Sequence, residues 1–414
     1  MMAFINRLKT NNKLRTVLLY GLYLMLFLYV FSLPSFSGRS VLNLISYGFM
    51  ACIIVLTILY LFLYKKIKFN KSLILVPLFT LWALFGTLIF SHEFRGWLTL
   101  FLLSITFITF FYSFTAIDDF RKIIQVIVFA FIAFCIYFVA VYFKDIINFR
   151  NFSGESFRLG AYFDNVNQIG SYMVIAFTLS FYIVLFFERK YKFLFLIPMV
   201  VFAFVGFCTG SRTFIISIFV STLSLIIMRY RKKPLIIIVS LILVVALAIL
   251  IINIPFLSVL KKRLLSMFGT LITGDSYDTS TTTRFVWQLY GLHLGFKQVI
   301  FGYGYYGFGI YSGVGTYTHS NYAEIICDYG IVGFLLFYGI IVFALYESIK
   351  KRSDNIWLIV VFTIIFVIES FMTVYYQNKT TFLIFGIIYY LISVRSSFEK
   401  KIIITDKNWY SLII

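Results

Sequence analysis

Twelve apolar runs separated by short, basic connections recur along the chain, and no single water-soluble core has room for that many. A helix that crosses the hydrocarbon of a bilayer needs about 20 mostly apolar residues. By that measure the runs are Thr16–Leu33, Val41–Tyr64, Leu73–Phe90, Trp97–Phe114, Ile123–Phe143, Gln168–Phe187, Phe193–Cys208, Thr213–Met228, Leu235–Phe256, Tyr322–Tyr346, Ile356–Phe371 and Phe382–Val394. The expected fold is all-α: a polytopic membrane protein of about 12 transmembrane helices, with residues 1–414 forming a single integral membrane domain. Composition excludes the alternatives, since 61% of residues are hydrophobic, only 13% are charged and the mean hydropathy is +0.96. A soluble domain carries about 25% charged residues. Pro34, Pro77, Pro198, Pro234 and Pro255 all lie at or near run ends, where a missing backbone donor costs least.

A formal charge of +20 would point to nucleic acid in a soluble domain, but here the cations cluster between the runs. Summed on alternate sides, 24 of the 36 Lys and Arg fall on one set of connections and 12 on the other. The positive-inside bias therefore places both termini in the cytoplasm and leaves no role for nucleic acid. The basic start, with Arg7, Lys9, Lys13 and Arg15, has no small-residue cleavage site after its apolar stretch and reads as an uncleaved first span. Cys52, Cys135, Cys208 and Cys327 lie inside apolar runs without ligand spacing, which supports neither a disulfide framework nor a zinc site.

The connections on the basic side are short, whereas the other side carries two long loops, 144–167 and 257–321. Loops of that length usually carry function, and these are too aromatic to be disordered. Chemistry is therefore expected on the extracytoplasmic face, the longer loop holding short helices and the candidate active site ahead of the tenth span. Leu257, Leu260, Leu264, Leu265, Phe268 and Leu271, beside Lys261, Lys262 and Arg263, fit an interfacial helix. The run Ser280-Thr281-Thr282-Thr283 precedes what reads as a capped helix with Arg284 in its first turn, where a cation opposes the helix dipole. Such a residue is either solvated or held for an anionic ligand.

Gly302-Tyr303-Gly304-Tyr305-Tyr306-Gly307 spells GxGxxG, but a dinucleotide site needs a βαβ context that this loop lacks. It reads as a flexible aromatic loop. The loop closes on Thr318-His319-Ser320-Asn321-Tyr322, with Glu324 and Asp328 following at helical spacing inside the tenth span. Ionised groups are expensive there unless paired or facing a wet cavity, so the two carboxylates turn toward the protein interior. Arg212 occupies a connection too short to leave the membrane surface, and Arg158 opens a polar stretch that ends at Asn167. Each arginine alone is also compatible with simple snorkelling.

The succession Arg158, Gly160, Phe163 and Asn167, then Gly210-Ser211-Arg212, then Arg284 and Trp287, then Gly302-Tyr303-Gly304, then His319-Ser320-Asn321-Tyr322 with Glu324, Gly330 and Gly333, resembles the O-antigen ligase/polymerase superfamily. That superfamily includes Wzy-type O-antigen and capsule polymerases and the ligases that move finished O-antigen onto lipid A core. The resemblance implies a multi-pass glycosyltransferase of the bacterial cytoplasmic (inner) membrane that takes undecaprenyl-pyrophosphate-linked oligosaccharide at the outer leaflet. It also implies membrane lipid, a chain-length regulator and a flippase as partners.

On that reading His319, Arg284 and Glu324 are the catalytic candidates, and Arg158, Arg212, Asn167, Asn321 and Tyr322 bind pyrophosphate or glycan. His319 suits a general base near neutral pH. Guanidinium groups grip phosphate oxygens in bidentate fashion. Glu324 orients the acceptor or stays a structural charge, and Asp328 and Glu369 carry no assigned role. No cofactor is expected, and no metal, since the extracytoplasmic side lacks a DxD pair and its 12 basic residues face six acidic ones. Polymerase is the preferred activity. A ligase-type glycan transferase and a 12-span polysaccharide flippase or transporter are the alternatives, the latter disfavoured because no internal repeat is visible.

Overall fold

Helices follow from the sequence wherever apolar runs must satisfy their own backbone groups in lipid. The computed structural model describes residues 9–36, 40–65, 71–148, 158–163, 165–187, 192–253, 279–351 and 355–393, with 261–262, 265–266 and 269 between them. In chain order the helices are α1 (Asn12–Phe36), α2 (Ser40–Tyr64), α3 (Leu75–Gly86), α4 (Phe94–Ile117), α5 (Phe120–Val141), the short α6 (Phe143–Ile147), α7 (Val166–Phe186) and α8 (Leu196–Cys208). There follow α9 (Arg212–Tyr230), α10 (Pro234–Ile252), α11 (Thr279–Lys297), the short α12 (Gly307–Tyr311), α13 (Asn321–Lys350), α14 (Ile356–Ser370) and α15 (Lys379–Ser393). No strand occurs among the described residues.

Seven of these helices, α1, α2, α4, α5, α7, α9 and α13, are long and apolar enough to cross a membrane. Five further apolar helices, around α3, α8, α10, α14 and α15, are shorter. The interfacial helix expected after Leu257 falls mostly outside the described residues, as do both termini and residues 149–157 of the 144–167 loop.

Two layers of contact hold the bundle. α15 packs on α4, where Phe107 meets Tyr389 edge-on at 5.3 Å, and α7 lies against both α8 and α9. α13 runs between α3 and α11. Local sequence sets the helix ends: Asp119 caps α5 by accepting from Arg121 N and Lys122 N, and Ser211 caps α9 by accepting from Phe214 N. α11 extends from Thr279, which moves Arg284 from the expected first turn into the second and relieves much of its conflict with the helix dipole.

α13 is not one uninterrupted helix. At Gly330 the backbone turns to φ 64° and ψ −167°, a conformation open mainly to glycine, and the helix breaks between Tyr329 and Ile331. A break inside a membrane span frees carbonyls that must find donors within the protein. Tyr303 N donates to Cys327 O at 2.9 Å, Gly304 N to Asp328 O at 2.7 Å, and the Trp82 indole to Tyr329 O at 2.9 Å. Ile331 N returns a bond to Val299 O at 2.7 Å.

The glycine-rich stretch is therefore a clasp along the broken helix, which corrects the expectation of a flexible loop. Its glycines are required by proximity: a Cβ at Gly302 would strike the Asp328 carbonyl carbon, and one at Gly330 the Ile300 carbonyl.

Candidate functional site

Five connections meet at one end of the bundle: 158–167, 209–212, the start of α11, 318–321 and 371–378. Hydrogen bonds stitch them together. Leu159 N donates to Cys208 O at 3.0 Å, and the Arg158 guanidinium donates through Nε to Thr209 O at 3.2 Å. Its Nη2 reaches Asn167 Oδ1 at 2.9 Å, so Asn167 orients Arg158 at the start of α7. Arg212 donates from Nη1 to Thr281 Oγ1 at 3.2 Å, linking the α8–α9 turn to the first turn of α11. Arg284 follows Thr281 by three residues, so the two share one face of that helix. Hydrogen bonds thus run in one path from Arg158 through the 209–212 turn and Arg212 to α11, the helix that carries Arg284.

His319 sits where this path meets α13. Its backbone lies in the left-handed region at φ 61°, and its imidazole stacks on Trp287, with ring centroids 5.6 Å apart and planes 12° from parallel, and lies against Tyr317 at 4.3 Å with the planes tilted by 56°. Among the described residues, neither ring nitrogen has a hydrogen-bond partner. Burial, and to a lesser degree the positive Arg284, lower its pKa to about 4, so the ring is neutral near pH 7.

The other expected site residues are placed differently. Asn321 is fully buried and its side chain is spent within the protein: Oδ1 accepts from Tyr375 N at 2.7 Å and Tyr376 N at 2.9 Å, while Nδ2 donates to Tyr338 Oη at 2.8 Å. It fastens the 371–378 connection to α13. Tyr322 donates to Val367 O at 3.0 Å and stacks on Tyr338, which again ties helices together. Glu324 is fully buried; Oε2 accepts from Thr318 N at 2.6 Å, and Oε1 has no hydrogen-bond partner. Asp328 accepts from Tyr376 Oη at 2.7 Å and Phe308 N at 3.2 Å. Glu369, at the end of α14, accepts from Ser171 Oγ at 3.1 Å, which also contacts Tyr375 Oη.

Several contributors were not among the expected site residues. Trp287 entered only as part of a motif, and Tyr317, Thr318 and Ser320 carried no separate signal. Ser320 Oγ donates to Ser370 O at 3.3 Å, and Gln288 Nε2 to Phe371 O at 3.2 Å, so the 371–378 turn is a wall of the site. The polar sequence Tyr375-Tyr376-Gln377-Asn378 between two apolar runs was the available sign of it. Among the described residues no group of three or more His, Cys, Asp or Glu has metal-ligand geometry.

No curated protein matches the chain. Residues 197–338, which take in Arg212, Arg284, His319 and Glu324, match the family model described as O-antigen ligase, and over this segment the chain is similar to that family, which supports membership in the O-antigen ligase/polymerase superfamily.

Proposed function

We propose that the chain is a polysaccharide polymerase that joins undecaprenyl-pyrophosphate-linked repeat units at the outer leaflet of the bacterial inner membrane, building O-antigen, capsule or exopolysaccharide. It crosses the membrane twelve times with both termini in the cytoplasm. A flippase delivers its donor, and a chain-length regulator works beside it. The observation that carries this reading is the hydrogen-bonded linkage of the connections that carry Arg158 and Arg212 to α11, whose Arg284 acts electrostatically on a neutral His319 that has no hydrogen-bond partner among the described residues.

The acceptor hydroxyl gives its proton to a ring nitrogen of His319 as its oxygen attacks the donor's anomeric carbon. The bond from that carbon to the pyrophosphate oxygen breaks, and the electron pair leaves with the lipid pyrophosphate. Arginines oppose the charge that develops there, in the electrostatic role that a divalent cation often fills. Burial, and to a lesser degree repulsion from Arg284, keep His319 a weak base. An arriving pyrophosphate cancels that repulsion and raises the basicity of the ring when the proton must be taken.

The test is the lipid-linked glycan made in cells by His319→Ala at normal protein levels. Single repeat units are expected to accumulate; a normal chain-length distribution would overturn the general-base reading and favour a transporter. Loss of activity with EDTA and its return with a divalent ion would overturn the metal-independent form. A second reading, transfer of finished glycan to a lipid acceptor, is favoured by the description of the matched family model. Glycan found on that acceptor, instead of on the undecaprenyl carrier, would select it.

A further inference from the structure

A histidine that accepts a proton is commonly oriented by a carboxylate or carbonyl hydrogen-bonded to its second nitrogen. His319 has no such bond among the described residues, and its φ of 61° is a backbone state costing about 1–3 kcal/mol for a residue with a side chain. Such a state persists only where the surroundings over-determine it.

The surroundings here are specific. On one flank, Thr318 N donates to Glu324 Oε2 at 2.6 Å while Thr318 Oγ1 donates to Ser320 O at 2.9 Å. On the other, Ser320 O accepts from Glu324 N at 2.9 Å and Ser320 Oγ reaches Ser370 O. Glu324 thus grips both sides of the histidine, with its side chain before it and its amide after it. The ring itself stacks on the face of Trp287 and meets Tyr317 at a tilt of 56°.

We propose that Glu324 and Trp287 are the positioning residues of His319: Glu324 locks the strained backbone at 318–320, Trp287 fixes the plane of the imidazole, and neither touches substrate. This rests on the reading of His319 as the proton acceptor. Glu324 acts as an acceptor for one backbone N–H, a role in which charge is not needed. Trp287 acts by stacking, a role that a smaller aromatic ring fills and an aliphatic side chain does not. The arrangement leaves both imidazole nitrogens open to reactants.

The test uses the full chain in native membranes, with the cell's own lipid-linked oligosaccharide as donor. Glu324→Gln retains an amide oxygen for Thr318 N and is expected to stay within about threefold of the parent, whereas Glu324→Ala is expected to lose about 10–100-fold in kcat at nearly unchanged donor KM. Trp287→Phe should keep turnover, and Trp287→Leu should lower kcat in the same manner as Glu324→Ala. Equal inactivity of Glu324→Gln and Glu324→Ala would overturn the proposal in favour of a reacting carboxylate, and unchanged kcat in Glu324→Ala would overturn it outright.

A second readout needs no turnover. With isotope-labelled histidine in lipid nanodiscs, one of the three histidine ring-proton signals, that of His319, should be displaced upfield by ring currents, and Trp287→Leu should return it toward the free position. A fully active His319→Ala would sink the general-base reading alone. An undisplaced His319 signal would sink the positioning proposal alone.

Discussion

Arg212 Nη1 donates to Thr281 Oγ1 across 3.2 Å, joining a three-residue turn to a helix that begins nearly 70 positions later in the chain. The bond fixes where a guanidinium from one connection stands relative to Arg284, one turn further along α11. An isolated arginine at a membrane surface snorkels; one held by a hydroxyl on a neighbouring helix is aimed.

Lysine should not substitute for either arginine. A point charge lacks the planar fork that grips phosphate oxygens in pairs. Arg212→Lys and Arg284→Lys are each expected to lose at least about tenfold in glycan formation, with protein levels unchanged on immunoblots. Full activity of Arg284→Lys and Arg284→Ala together would return that residue to a solvated surface charge.

The acid limb of the pH profile carries the His319 signature. Its pKa lies near 4 in the empty site because burial and then Arg284 disfavour the charged ring, so kcat/KM should hold down to about that pH and fall below it. Replacing Arg284 by Met removes the second cause, and the limb in the residual activity should move up toward the ordinary histidine value of about 6.5. Because the unfolded chain takes up this proton first, His319 also makes the fold less stable as pH falls from about 6.5 to about 4, an effect that His319→Ala should abolish in thermal melts.

Asn321→Ala tests structure against substrate contact. The change leaves two backbone N–H groups and one hydroxyl without their buried partner, at about 1–3 kcal/mol for each group left unsatisfied. The expected outcome is a lower Tm in detergent. An unaltered Tm with lost glycan binding would restore Asn321 as a ligand residue.

Much of this protein was legible in its sequence, and the reasons differ by feature. Hydropathy marked the helical runs because the bilayer allows little besides helix. Residue chemistry singled out His319 and the arginines as candidates, since histidines and charged side chains are rare in this chain. Spacing alone did not reveal that Asn321 and Tyr322 bond and stack with Tyr375, Tyr376, Tyr338 and Val367, because those partners come from α14, the 371–378 turn and the far side of the Gly330 break in the same helix. The role of Gly302-Tyr303-Gly304 was hidden for a related reason. A clasp is defined by what it closes on, and the break at Gly330 is visible only in three dimensions.

Sidedness has a direct test. Val314 is exposed in the turn before the site, and Lys232 lies in a basic connection assigned to the cytoplasm. In a background without the four native cysteines, Val314→Cys should react with a membrane-impermeant maleimide in intact cells, and Lys232→Cys only after lysis. The reverse pattern would invert the orientation and place the site in the cytoplasm.

Gly330→Ala should be among the most damaging conservative changes in the chain. The new methyl meets the Ile300 carbonyl at a backbone angle that alanine resists, and the clasp along residues 299–304 must open to admit it. We expect a large drop in Tm and loss of monodisperse protein in detergent. A fully stable Gly330→Ala variant would show that the helix break is dispensable.

The indole of Trp82 completes the same clasp from α3, well outside the segment that matches the family model. A gene trimmed to residues 197–338 would therefore yield a helix whose Tyr329 carbonyl faces hydrocarbon with no donor. The early helices thus supply a donor that the broken helix requires. If the chain were cut between α7 and α8 and expressed as two polypeptides, neither half should accumulate unless its complement is made in the same membrane.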